Sequence, residues 1–247
     1  MNGGRVPGKT GAPGPPGCGG ATGQVLPGWR QLLAVVAHPD DETFGLGGII
    51  ARLTAVGSGV HILCYTHGEA STLNENRGDL FSQREDELRS ASAALGAATI
   101  TLLDYPDASL AAQPPGELAA HVTALTARHH LDGLLTFDDT GVTGHPDHQA
   151  ATAAAVLAGT TAGLPVLAWV LPEGVAGRLR EETGHPFAGQ PPDRVDFCIP
   201  VDRASQRQAA WLHASQISAS SVLWRRLELQ GDREHLRWLL PPSSVKA

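Results

Sequence analysis

Charge is scarce in this chain, and basic charge scarcest: 17% of the 247 residues are charged, with 18 Lys and Arg against 25 Asp and Glu, for a net charge of -7. That balance excludes a nucleic-acid backbone as the main partner. The basic residues also do not cluster, since Arg225 and Arg226 are the only adjacent pair. Cysteine is scarce too: Cys18, Cys64 and Cys198 stand far apart without a C-x-x-C. They suit free thiols in a reducing compartment better than a disulfide framework. No apolar run approaches bilayer length, and the N-terminus lacks the apolar core of a signal peptide. A cytoplasmic protein that does not engage a membrane is expected. The sequence sets no oligomeric state and is compatible with a homo-oligomer.

Hydrophobic residues make up 42% of the chain, enough for a packed core. Residues 1–29 are rich in Gly and Pro and are expected to form a disordered tail. Residues 30–247 are expected to form a single domain. Within the tail, Gly3, Gly8, Lys9 and Thr10 match the phosphate-loop pattern G-x-x-x-x-G-K-T. A working loop of that kind follows a strand, and only two residues precede Gly3.

From residue 31 apolar runs alternate with helical patterns. Strands are expected at 31–37, 60–66, 99–103, 131–137, 165–171 and 194–199. Helices are expected at 45–56, 79–95, 116–130, 147–157 and 202–216, with a loop-rich stretch at 172–193. Strands alternating with helices of this length predict an α/β fold: a Rossmann-like, mostly parallel sheet with helices on both faces.

Two short segments carry chemistry. His38-Pro39-Asp40-Asp41-Glu42 follows the first strand, where parallel sheets gather ligands. Four acidic or imidazole groups within five positions are costly to hold together without a compensating cation. An acid-rich helix N-terminus is the plain alternative. The second segment, Gly144-His145-Pro146-Asp147-His148, follows the fourth strand. There Pro146 favours an extended His145 and can open a helix. Both segments fall at one edge of the sheet. Two imidazoles, a carboxylate and a water make a catalytic metal site rather than a closed structural one.

These residues resemble the LmbE-like or PIG-L family of N-acetylglucosaminyl deacetylases, through AHPDDE at 37–42 and GHPDH at 144–148. The resemblance runs from about residue 31 to 220. It implies the fold of that family and one Zn2+ per chain, held by His38, Asp41 and His148. Fe2+ or another divalent ion fits the same donors. It implies Asp40 as general base and His145 as a protonated group that stabilises the oxyanion, with Asp147 tuning it. Arg84, Asp107 and His213 are similar to family positions near the substrate. Each also has a structural alternative: a surface ion pair, a turn and a satisfied helix residue. The expected activity is removal of an acetyl or other acyl group from the amide nitrogen of an N-acetylglucosamine-type glycoside. Relatives also include amidases acting on larger amides. The low aromatic content, 5%, argues for a small substrate.

Three rivals remain. Gly45-Leu46-Gly47-Gly48 invites a dinucleotide-binding reading, although G-x-G-x-x-G is not matched. Two His and one carboxylate is also the ligand set of non-haem iron enzymes. A non-catalytic sugar-binding relative would not need Asp40 and His145 together.

Overall fold

The computed structural model describes residues 25–73 and 79–243. Most of the expected tail, with its phosphate-loop pattern and Cys18, lies outside these residues. Five strands, β1 (Gln31–Val36), β2 (Gly59–Thr66), β3 (Thr99–Tyr105), β4 (Gly133–Phe137) and β5 (Val166–Val170), pair in parallel, with the partly exposed β3 at the edge. β6 (Phe197–Pro200) and β7 (Arg233–Leu240) complete one sheet in the order β3-β2-β1-β4-β5-β7-β6. β7 runs antiparallel to both of its neighbours.

Alternation along β1 divides the core. Leu32, Ala34 and Val36 face α2 (Gly47–Ala55), α3 (Leu80–Ala94), α7 (Glu173–Thr183) and α8 (Arg203–Leu212). Leu33 and Val35 face α4 (Pro115–His129) and, beyond the short turn α5 (Gly141–Gly144), α6 (Pro146–Ala162). Both faces of the sheet are therefore covered, as parallel strands require. Cys64 is buried as a free thiol in the first of these cores. Cys198 is also buried, its Sγ 3.5 Å from Nε2 of His235.

The helix expected at 45–56 is split. A four-residue turn of helix, α1 (Asp41–Phe44), precedes α2. Gly45 sits at the break, where a Cβ would lie 2.2 Å from the Phe137 ring. Gly47 and Gly48 are buried against Gln206, Arg203 and Val201 of the opposing segment, so these glycines serve helix packing rather than a phosphate cradle. The stretch 172–193 is not all loop, because α7 spans Glu173–Thr183. Only Val175, Ala176 and Leu179 of that helix are buried, a stripe too thin to stand out beside Gly174 and Gly177. α9 (Val222–Gln230) and β7 were not expected at all. The buried positions of β7 include Glu234 and His235, which hides its strand character. Among the described residues no helix is long and apolar enough to cross a membrane.

β1 lies between β2 and β4, so the chain leaves β1 to one side and returns to the other. That reversal opens a crevice beyond the carboxyl ends of β1 and β4. Both chemical segments emerge there.

Candidate metal centre

Asp41 is placed by the turn after β1. Its Oδ2 accepts the N–H groups of Ala37 (3.1 Å) and His38 (2.9 Å), which fixes the carboxylate beside its own chain. Its Oδ1 lies 3.1 Å from Nε2 of His148, delivered by the first turn of α6. His38 Nδ1 is 3.3 Å from the same His148 nitrogen and 3.6 Å from Asp41 Oδ2. Three residues from two distant segments thus converge on one point.

The hydrogen bonds around them fix which nitrogens are bare. His148 Nδ1 faces the Gly141 carbonyl at 3.1 Å, and a carbonyl can only accept, so the proton sits on Nδ1. His38 Nε2 faces Asp107 Oδ1 at 3.1 Å and Asp147 Oδ2 at 3.5 Å, which draws its proton to that side. Neither contact is aligned as a hydrogen bond, and Asp147 Oδ2 has no hydrogen-bond partner. His38 Nδ1 and His148 Nε2 are left as facing lone pairs beside a carboxylate. A cation resolves that repulsion, and outer partners of this kind orient imidazole ligands. Tetrahedral zinc with ligands at about 2.0–2.1 Å separates its donors by about 3.3–3.4 Å, so the observed spacing fits.

The electrostatics agree. Burial alone would lower the His38 pKa, but Asp107, Asp147 and Asp41 hold it well above the ordinary value. Burial alone would raise that of Asp41, but His148 and His38 hold it well below. The cluster calls for positive charge. Among the described residues, the two groupings with metal-ligand spacing are His38-Asp41-His148 and His38-His145-Asp147, which share His38.

Asp40 takes a conformation rare for a side-chain-bearing residue, φ 108 and ψ -27. Glu42 stabilises it by accepting the Asp40 N–H at 2.9 Å. Arg84, on α3, donates to Asp40 Oδ2 at 3.0 Å and also to the carbonyls of Gly68 and Pro39. Burial pushes the Asp40 carboxyl up to about 6, against the lowering pull of Arg84. Gly68 (φ 65) permits this arrangement, because a Cβ there would lie 2.1 Å from the Arg84 guanidinium.

His145 is extended (φ -65, ψ 121) and Pro146 begins α6, as the sequence predicts. Its Nδ1 accepts the Asp147 N–H at 3.2 Å, which leaves the ring proton on Nε2. Burial and the neighbouring His148 lower its pKa. The Asp147 carboxylate turns the other way, accepting the Leu110 N–H at 3.1 Å and facing His38. Asp107 likewise faces His38. His213 is fully buried and reaches the site only through Glu42, which accepts its Nε2–H at 2.7 Å.

The structure therefore brings His38, Asp40, Asp41, Arg84, Asp107, His145 and His148 to one cleft of about 400 Å3, and leaves His213 behind its wall. Sequence reasoning gave no role to Glu42 or to Gln216, whose Oε1 accepts the Ser71 hydroxyl at 2.7 Å on the cleft rim. Glu42 lay within the first motif, and its place directly after Asp40 and Asp41 was the signal that could have found it.

Comparison with known proteins bears on the family and the fold. The family described as GlcNAc-PI de-N-acetylase (PIG-L) matches residues 33–158. A 1D-myo-inositol 2-acetamido-2-deoxy-alpha-D-glucopyranoside deacetylase from Nakamurella multipartita is 31% identical over 240 residues, covering 76% of this chain and 80% of its own. N,N'-diacetylchitobiose deacetylase from Pyrococcus horikoshii superposes with a TM-score of 0.63 at 22% identity, covering 87% of this chain and 84% of its own. A 4-carboxy-2-hydroxymuconate hydratase from Pseudomonas putida reaches the same TM-score, 0.63, at 18% identity, covering 86% of this chain and 97% of its own. The fold alone thus does not fix the reaction.

Proposed function

Since the chain belongs to the PIG-L family, we propose that it is a divalent-metal-dependent N-deacylase. Its substrate would be an N-acetylglucosamine-type small glycoside, from whose amide nitrogen it removes an acetyl or related acyl group. The observation that carries this reading is the convergence of the bare His38 Nδ1, His148 Nε2 and Asp41 carboxylate beside a separately held carboxylate, Asp40.

A divalent cation held by His38, Asp41 and His148, Zn2+ in the first instance, would supply Lewis acidity and acidify a water near neutrality. Asp40 accepts the proton from the attacking water; its raised pKa and the fixed Arg84 contact suit a base working near neutral pH. His145 offers its Nε2–H to the oxyanion that forms at the acyl carbon, a contribution of about 2.7–4 kcal/mol for one donor. Asp107 and Asp147 orient His38. The proton held by Asp40 then passes to the departing amine, so each turnover consumes one water and releases an amine and a carboxylic acid. Asp40 and His145 together disfavour a pure sugar-binding role.

The test is free-amine release from a panel of N-acylated amino sugars, before and after chelation and metal return. Turnover that survives exhaustive chelation sinks the metal-dependent reading. The same ligand set suits iron, so elemental analysis of anaerobically purified protein decides the native ion.

A further inference from the structure

A second pocket, of about 150 Å3, shares Asp41 and His148 with the polar cleft. It differs in character. Phe44, Phe137, Trp169, Phe187 and Leu223 wall it, and Arg226 closes one side. The Arg226 guanidinium lies 4.9 Å from the centre of the Trp169 ring. Its Nη2 donates to the Phe44 carbonyl, and its Nη1 has no hydrogen-bond partner. Val142 completes the wall in a left-handed conformation, φ 67 and ψ -52, which is strained for a β-branched residue. Its carbonyl accepts the Ala188 N–H at 2.7 Å, which pins the strained turn to the segment carrying Phe187.

We propose that this pocket receives the acyl side of the scissile amide, and that it is built for an aromatic acyl group of about benzoyl size. The proposal rests on the amide-hydrolase reading above. An amide carbon joins two unlike halves, and the ligands Asp41 and His148 separate two unlike spaces. The cleft carrying Asp40, Arg84, Asp107 and Gln216 suits the hydroxyl-rich amine half. The apolar pocket suits the acyl half. A dry cavity of about 150 Å3 holds a guest the size of benzene. A lone methyl would leave most of that volume without contacts, which forfeits dispersion energy. Four aromatic side chains and a guanidinium favour a π-face over an alkyl chain. In the reaction the water oxygen bonds to the acyl carbon, the C–N bond breaks, and the nitrogen takes a proton, leaving free amine and an aromatic carboxylate.

Two measurements on the zinc-loaded protein test the idea. Calorimetric titration with benzoate and with acetate should show benzoate binding about tenfold tighter or more, since only benzoate buries a ring. Val222→Phe, at a rim position 37% exposed, should erase most of that preference. Leu223→Ala, which enlarges the pocket, provides a second variant should Val222→Phe fold poorly. Methyl glycosides of N-benzoyl- and N-acetylglucosamine should be hydrolysed with a kcat/KM ratio of about one or more. Benzoate binding no tighter than acetate overturns the proposal whether or not either amide is cleaved. So does a hundredfold preference for the acetyl substrate. A benzoate preference sensitive to Val222→Phe, with neither glycoside cleaved, would keep the aromatic pocket and reject the hydrolase reading.

Discussion

The Glu42 carboxylate accepts the backbone N–H of Asp40 at 2.9 Å, holding the neighbouring residue but one in its left-handed conformation. The same carboxylate accepts the Thr43 hydroxyl and the His213 ring N–H. Asp40 can therefore aim its side chain at the cleft only while a buried acid behind it binds its main chain.

Glu42→Ala strands three donors in a buried place. A loss of about 2–4 kcal/mol in unfolding free energy is expected, with turnover falling about 100-fold while metal is retained. Urea denaturation and kinetics on metal-loaded protein check both. Unchanged turnover would show that Asp40 holds its position without Glu42.

Asp40→Asn keeps the shape of the side chain and removes the base. Metal content should stay at one ion per chain while kcat drops about 10²–10⁴-fold. Asp41→Ala and His148→Ala should instead abolish stoichiometric metal binding. A full complement of zinc in Asp41→Ala, measured by elemental analysis, would remove Asp41 from the ligand set.

Gly68→Ala tests the support of Arg84 from outside the metal shell. The new methyl would meet the guanidinium at 2.1 Å, and the φ of 65 penalises any side chain. Arg84 should be displaced from Asp40, so kcat should fall by an order of magnitude or more with little change in metal affinity. Wild-type kinetics in this variant would show that the Arg84–Asp40 contact is dispensable.

The parallel half of the sheet and the His38-Asp41-His148 cluster were legible because each has a local cause. Continuous apolar runs such as residues 32–36 can only be buried strands or core helices, and Pro after His sets both turns. What stayed hidden depends on contacts between distant residues. β7 carries Glu234 and His235 in buried positions, and Glu234 is matched by Trp169, Arg203 and Gln230, none of which a local pattern reveals. In the same way His213 reads as a site residue by sequence, yet its side-chain hydrogen bond goes to the acid behind the site, across 171 positions of chain.

His213 also ties stability to pH. Burial works against charging it, but Glu42 outweighs burial, so its pKa in the folded chain lies above the ordinary value. A raised value stabilises fully below about pH 6.5, the unfolded pKa, and that contribution is lost as pH rises through the folded value. The unfolding free-energy difference between wild type and His213→Gln should be largest near pH 6, at about 3 kcal/mol, and smaller at pH 9. A difference that grows with pH would contradict a charged His213.

Because β7 inserts between β5 and β6, a segment synthesised after both of them fills an inner slot of the sheet. During synthesis the β5 edge stays open and β6 has no partner until residues 233–240 emerge. The nascent chain must shelter an unpaired strand edge through that interval, a period of exposure to self-association. Trimming the chain before residue 233 would not shorten an edge; it would split the sheet.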